Sequence, residues 1–306
     1  MIGWYAHHQG QGHVSRLTAV CAHLQTAVVG LSSLPKPIGW QGDWVRLARD
    51  HDPVPTPLED VTAHGVLHWA PRRHAGLSAR MATLAGWIAR ERPAALVVDV
   101  SVEVALLAPW PLESHATDWP ESWRAKTWAV GALSRFDGRP RPPAAANRRD
   151  RRVLLLWGAG GRDVDDASVE AARRSTPGWE WTERSPEHPS PDLWAELCAA
   201  DVVVTHAGQN AVADVAAARA PAVVIAQRRP FGEQAATAMA LSRLGIADGH
   251  TSWPAADHWP DVLEAAHRRG GRSWSRWSSG HGARDAAAHL DAMAGSAALV
   301  GSTGSA

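Results

Sequence analysis

Two histidines in this chain stand where chemistry is easy to arrange. His13 follows Gly10-Gln11-Gly12 and opens a helical pattern, and His206 follows the apolar run Asp201–Thr205 and leads into Ala207-Gly208-Gln209-Asn210. Each is an imidazole beside a glycine where a strand pattern gives way to a helix. Glycine lets the backbone come close to a ligand. The first turn of a helix offers unbonded N–H groups and a partial positive charge, which suit a phosphate. An imidazole titrates near neutral pH and can take a proton from a hydroxyl.

Gly10-Gln11-Gly12 also has the start of a dinucleotide fingerprint, but Ser15 stands where its third glycine would be, which disfavours a Rossmann oxidoreductase. Helix capping or plain packing is the other reading of His13. Asp99 lies at the C-terminal end of the apolar run Ala95–Val100. A carboxylate there could orient and stabilise a protonated His13, as the third member of a triad does. Its alternative is an N-cap for the segment from Ser101, and Glu103 is a weaker substitute.

The second half carries a denser set. Gly158, Gly160 and Gly161 follow the apolar run Val153–Trp157 and could cradle a diphosphate through backbone N–H groups. Beyond His206 and Gly208, Asp214 comes one helical turn later, placed to accept bonds from ribose hydroxyls. The run Ala222–Ala226 ends in a Pro-bearing loop and then Glu233-Gln234, an acid and an amide suited to sugar hydroxyls. The polar residues of this block gather at strand ends, which an ordinary structural repeat does not require.

The elements that must hold these groups alternate strand and helix, which predicts parallel sheets covered by helices on both faces. Residues 76–91 read as a helix with Leu77, Met81, Leu84 and Ile88 on one face. Residues 34–60 are rich in Pro and Trp and give no clear pattern. The Pro- and Arg-rich stretch before residue 153 reads as a linker. We therefore expect an N-terminal, reduced domain over 1–145, a linker over 146–152, a C-terminal domain over 153–295 and a frayed tail over 296–306. A cleft between two such domains is the natural site.

The 306 residues carry 31 Lys+Arg and 31 Asp+Glu, so no global basic field draws in nucleic acid. Cys21 and Cys198 are far apart and lack CxxC partners, which argues against a cysteine metal or redox site. The 17 Trp against 2 Phe and 1 Tyr suggest that Trp fills ordinary aromatic core positions. No signal-peptide pattern and no long apolar run is evident, so the cytoplasm is the expected location.

With these residues in place, the chain resembles the family 28 glycosyltransferases of the GT-B type, typified by the enzyme that forms lipid II. His206-Ala207-Gly208 matches the family's turn after the strand, and Asp214 falls where these enzymes commonly place a Glu on the nucleotide ribose. Ala220-Pro221 stands for the family's G-x-P, Glu233-Gln234 for its donor-sugar pair, and Thr237-Ala238 replaces the usual Asn-Ala. Gly10–His13 and Gly158–Gly161 look like its two Gly-rich loops.

The resemblance implies two Rossmann-like domains with parallel sheets facing across a cleft. It implies inverting transfer from a nucleoside-diphosphate sugar, UDP foremost, to an acceptor hydroxyl, with no metal and no cofactor beyond the donor. His13 and Asp99 would be catalytic. Gly12, Gly158, Gly160, Gly161, His206, Ala207, Gly208, Gln209, Asn210, Asp214, Glu233 and Gln234 would hold the donor. The acceptor is not legible. A non-catalytic sugar-nucleotide or glycan-binding subunit of a glycosyltransferase complex, with a partner subunit, is the alternative. A nucleotide-sugar epimerase is a third.

Overall fold

The computed structural model describes residues 1–7, 12–50, 74–98, 106–108, 121–125, 127–142, 151–158, 161–228 and 232–303. By packing, the chain forms two compact units, Met1–Val104 with Ala287–Ala306, and Ala105–Ala286.

The N-terminal unit contains the strands β1 (Ile2–Tyr5), β2 (Val28–Ser32), β3 (Asp43–Arg46) and β4 (Ala95–Val98), with helices α1 (Gly12–Cys21) and α2 (Ala75–Glu91). All neighbouring strands are parallel, in the order β3-β2-β1-β4. Strand β3 lies inside the Pro- and Trp-rich stretch that showed no periodicity. Tryptophans here pack over glycines: a Cβ on Gly3 would lie 2.6 Å from the Trp87 ring, and one on Gly30 2.2 Å from Trp44.

Helix α2 presents a different face from the one its apolar pattern predicts. Met81 and Ile88 are exposed, whereas Arg80 and Trp87 are buried. Arg80 can be buried because its charge is met: it pairs with Asp50 at 2.9 Å and donates to Tyr5 Oη and Ser33 Oγ, both at 2.7 Å, and to the Ala48 carbonyl. A buried ion is tolerated only with such complete pairing.

The second unit opens with β5 (Leu106–Ala108), α3 (Glu121–Arg124) and β6 (Thr127–Ala129), where β5 and β6 pair in parallel. Next come β7 (Arg151–Leu156), α4 (Asp166–Ser175), β8 (Trp179–Arg184), α5 (Leu193–Ala199), β9 (Val202–His206), α6 (Gln209–Ala218), β10 (Ala222–Ile225), α7 (Glu233–Arg243), β11 (Asp248–His250) and α8 (Trp259–Arg269). The parallel sheet has the order β11-β10-β9-β7-β8. Strand residues alternate between two cores. Leu154, Val203 and Val224 pack with Trp194, Leu197 and Leu241, while Val153, Leu155, Val204 and Val223 pack with Val169, Trp259 and Leu263. Burial of both faces explains why these strands read as near-continuous apolar runs.

Strand order fixes where a ligand can sit. From β7 the chain moves outward to β8, then crosses to β9 on the other side of β7. The crevice between the carboxyl ends of β7 and β9 is thus a topological switch point, where open α/β sheets bind ligands. In the N-terminal unit the corresponding point lies between β1 and β4.

The chain divides by packing elsewhere than composition suggested, because residues 131–142 are bonded into the second unit. Arg141 donates to the Ala218 carbonyl at 2.7 Å and the Cys198 carbonyl at 3.0 Å, capping the C-terminal ends of α6 and α5. Trp194 Nε1 donates to the Pro140 carbonyl at 3.0 Å. A final helix, α9 (Gly282–Thr303), runs past the expected frayed start at 296. In the N-terminal unit its Asp291 accepts from the N–H groups of Gln25 and Thr26 at 3.0 and 2.9 Å. Among the described residues no helix is long and apolar enough to cross a membrane.

Candidate functional site

The best-defined polar group at either switch point is His206, the last residue of β9. Its Nδ1 accepts from the Gly208 N–H at 3.1 Å. A Cβ on Gly158 would lie 2.3 Å from His206 Nε2, and one on Gly208 2.5 Å from Cε1. The imidazole therefore occupies space that a side chain at either position would need. With Nδ1 accepting, the neutral ring carries its proton on Nε2, on the side of the loop after β7.

Gly208 is also the N-cap of α6, and no acidic side chain stands in the first turn of that helix. Gln209 and Asn210 there are exposed, while Ala207 is buried. Backbone N–H groups and a helix dipole thus come together at one crevice, with the buried His206 Nε2 lying against Gly158. That is a set of hydrogen-bond donors suited to a diphosphate.

The flanking loops are tied together around this point. Gln227, just after β10, donates through Nε2 to the Gly161 carbonyl at 2.9 Å. Its N–H donates to Gln234 Oε1 at 3.1 Å, and the Arg228 N–H donates to Asp163 Oδ2. Since β10 and β7 lie on either side of β9, these bonds lace one loop to the other. Gln234 is consequently 6% exposed, its amide oxygen spent on the loop, whereas Glu233 at the start of α7 is exposed. Of the expected sugar-gripping pair, Glu233 alone presents its side chain to solvent. Gly160 lies outside the described residues.

Asp214 departs most from expectation. It is 6% exposed, and its carboxylate is already engaged. Ser134 Oγ donates to Oδ1 at 2.8 Å, and Arg135 donates to Oδ2 through Nε at 3.1 Å and pairs with it through Nη2 at 3.0 Å. Burial pushes its carboxyl above the usual range, against the pull of Arg135 and the Ser134 bond. The ribose contact expected of it is taken by protein groups.

In the N-terminal unit, Gly12 begins α1 and His13 is half-buried on its first turn. Arg16 Nη2 lies 3.3 Å from His13 Nδ1. A guanidinium has no acceptor, so Nδ1 accepts in this contact. The His7 ring meets His13 edge-on with centroids 6.0 Å apart, and Tyr5 meets His7 at 6.2 Å. Tyr5 pairs in register with Val98, the last residue of β4. Asp99, with Gly10, Gln11 and Glu103, lies outside the described residues.

Ser134, Arg135, Asp163 and Gln227 were not singled out from the sequence. The first two fall where periodicity fails, and nothing local marks them. Gln227 belongs to a loop the motif does mark, and its position at a strand's carboxyl end was a usable signal.

Comparison with solved structures first defines the class. The fold is that of GT-B glycosyltransferases. It is similar to the glycotransferase of kitacinnamycin, with 13% identity, 95% of this chain and 98% of that chain covered and a TM-score of 0.66. It is also similar to Arabidopsis thaliana UGT89C1 complexed with UDP, at 12% identity over 95% and 99% with a TM-score of 0.59. A third is the spinosyn rhamnosyltransferase SpnG complexed with thymidine diphosphate, at 15% over 99% and 100% with a TM-score of 0.56. More narrowly, residues 190–251 match the glycosyltransferase family 28 C-terminal domain, a span that includes His206, Asp214 and Gln234. No curated protein matches the chain by sequence. The family domain and the fold together indicate a nucleotide-sugar-dependent glycosyltransferase.

Proposed function

We propose that the chain transfers a sugar from a uridine diphosphate sugar to an acceptor hydroxyl with inversion, and that His13 is the general base. The observation that carries this reading is the fixed His206 imidazole at the β7–β9 switch point, directly ahead of the N-terminus of α6. The N–H groups of α6, beside that imidazole, stabilise the negative charge that grows on the departing diphosphate. The acceptor oxygen forms its bond to the anomeric carbon as the bond from that carbon to the diphosphate breaks. UDP leaves with the bonding electron pair, and the acceptor's proton passes to His13.

A neutral His13 whose Nδ1 accepts from Arg16 has that nitrogen unprotonated, so Nδ1 is the atom that takes the proton. Asp99 is the proposed carboxylate partner of the resulting imidazolium. A UDP complex among the structurally similar proteins supports the uridine donor, and a thymidine diphosphate complex supports the broader nucleoside-diphosphate class.

A thermal-shift screen of UDP, TDP, GDP, ADP and NAD on the full chain tests the donor. A ligand that binds only the folded state at one hundred times its Kd stabilises it by about 2.7 kcal/mol. We expect UDP to raise the melting temperature and NAD to leave it unchanged. A shift with NAD alone, or with no nucleoside diphosphate, overturns the reading.

A further inference from the structure

We propose that Arg135, not Asp214, is the side chain that meets the donor nucleotide, and that the site therefore does not select for the ribose 2′-hydroxyl. The proposal rests on the donor-binding reading above and specifies what kind of nucleotide that site accepts.

Asp214 lies five residues beyond Gln209, the first residue of α6, or about 7.5 Å further along the helix axis. It is the acid nearest along α6 to where a ribose would follow the diphosphate. A ribose reader must accept bonds from the sugar's hydroxyls, and Asp214 has little left to accept with. A carboxylate offers about four acceptor positions. Three are occupied, by Ser134 Oγ, Arg135 Nε and Arg135 Nη2.

The Ser134 bond is fixed in direction, because Ser134 Oγ itself accepts from the Phe136 N–H at 3.0 Å and so turns its proton to Asp214. The Asp214 side chain is 9% exposed, which leaves the remaining position out of reach. A ribose hydroxyl would have to displace a charge-assisted bond to form a weaker neutral one.

Arg135 is the complement. Its side chain is 59% exposed, and its guanidinium is held along one edge by Asp214 and over the Phe136 ring at 4.9 Å. Nη1 makes no hydrogen bond among the described residues. Arg135 thus presents a restrained cation that only donates. Such a group answers to phosphate and ring oxygens and does not require a hydroxyl at the 2′ position. Asp214 acts through it, as a positioning residue.

The test is isothermal titration of the full-length chain with UDP and with 2′-deoxyuridine diphosphate, which share one base. We expect dissociation constants within about threefold of each other, since no charged acceptor is free to reward the 2′-hydroxyl. A preference for UDP of about tenfold or more overturns the proposal while leaving the donor site standing. Failure of both to bind overturns the donor site itself, and the proposal with it.

The Arg135→Ala variant should lose about tenfold in affinity for both nucleotides alike, and Arg135→Lys should regain part of it, because a lysine keeps the charge. Unchanged affinity in Arg135→Ala, or a loss that Arg135→Lys does not relieve, removes Arg135 from the nucleotide site.

Discussion

The two histidines at the two switch points are held in opposite ways. His206 is held by a backbone N–H at Nδ1, and its ring fills the space beside two glycines. His13 is placed on the first turn of a helix, its Nδ1 met by a long side-chain contact from Arg16 and its ring by the edge of His7. A group that must stabilise charge on a ligand profits from immobility, because no reorganisation is then needed at the moment of reaction. A group that must take up and release a proton profits from a contact that yields. The contrast agrees with the proposed roles, binding for His206 and proton transfer for His13.

The largest expected effect follows from removing each imidazole. His13→Ala should lower transfer by about 100- to 10,000-fold, the usual worth of a general base, with UDP affinity within about twofold of the parent. His206→Ala should weaken UDP binding itself by about tenfold or more, through loss of a hydrogen bond to a charged group. Steady-state kinetics and titration of both variants separate the two. If His13→Ala loses UDP affinity while His206→Ala keeps it, the assignment is reversed.

Gly158→Ala probes the clasp with a single methyl group. The new Cβ would lie 2.3 Å from His206 Nε2, far inside van der Waals contact. The ring must leave its place and give up the bond to the Gly208 N–H. Overpacking of this kind costs ~1–3 kcal/mol, which is about tenfold or more if the loss falls on UDP binding. Affinity equal to the parent's in Gly158→Ala would show that the clasp does not matter for the ligand.

Much of this contrast is legible in the sequence, and the remainder has identifiable causes. His206, Gly208 and Gly158 stand out because strand, turn and helix follow one another within a few residues, so local pattern alone brings them together. The same pattern gives no sign that the Asp214 carboxylate is already bonded, because its partners Ser134 and Arg135 lie about 80 positions away in a stretch without periodicity. Helix α2 misleads for a related reason. Met81 and Ile88 mark an apolar face by spacing, but the buried face carries Arg80, whose burial is made tolerable by Asp50, Tyr5 and Ser33 from other segments. Gln234 reads as a free sugar-binding amide until Gln227 is seen to hold its oxygen. Asp214 and Arg80 are claimed by distant protein groups and Gln234 by a nearby loop, and hydrophobic periodicity carries no record of such pairings.

The smallest effect is the most direct test of the contrast. Arg16 is a charged side chain in contact with His13, and that contact is 3.3 Å long, near the outer limit of a hydrogen bond. It also rests on the nitrogen proposed to receive the proton, so it must give way during transfer. Replacing Arg16 by Ala removes some orientation of the ring and at the same time frees Nδ1. These two consequences oppose each other. Transfer in Arg16→Ala should therefore stay within about fivefold of the parent rate, far from the loss expected for His13→Ala, with UDP affinity unchanged. A collapse of transfer to the His13→Ala level would mean that His13 depends on Arg16 as rigidly as His206 depends on Gly208, and the difference between the two histidines would then be one of chemistry but not of constraint.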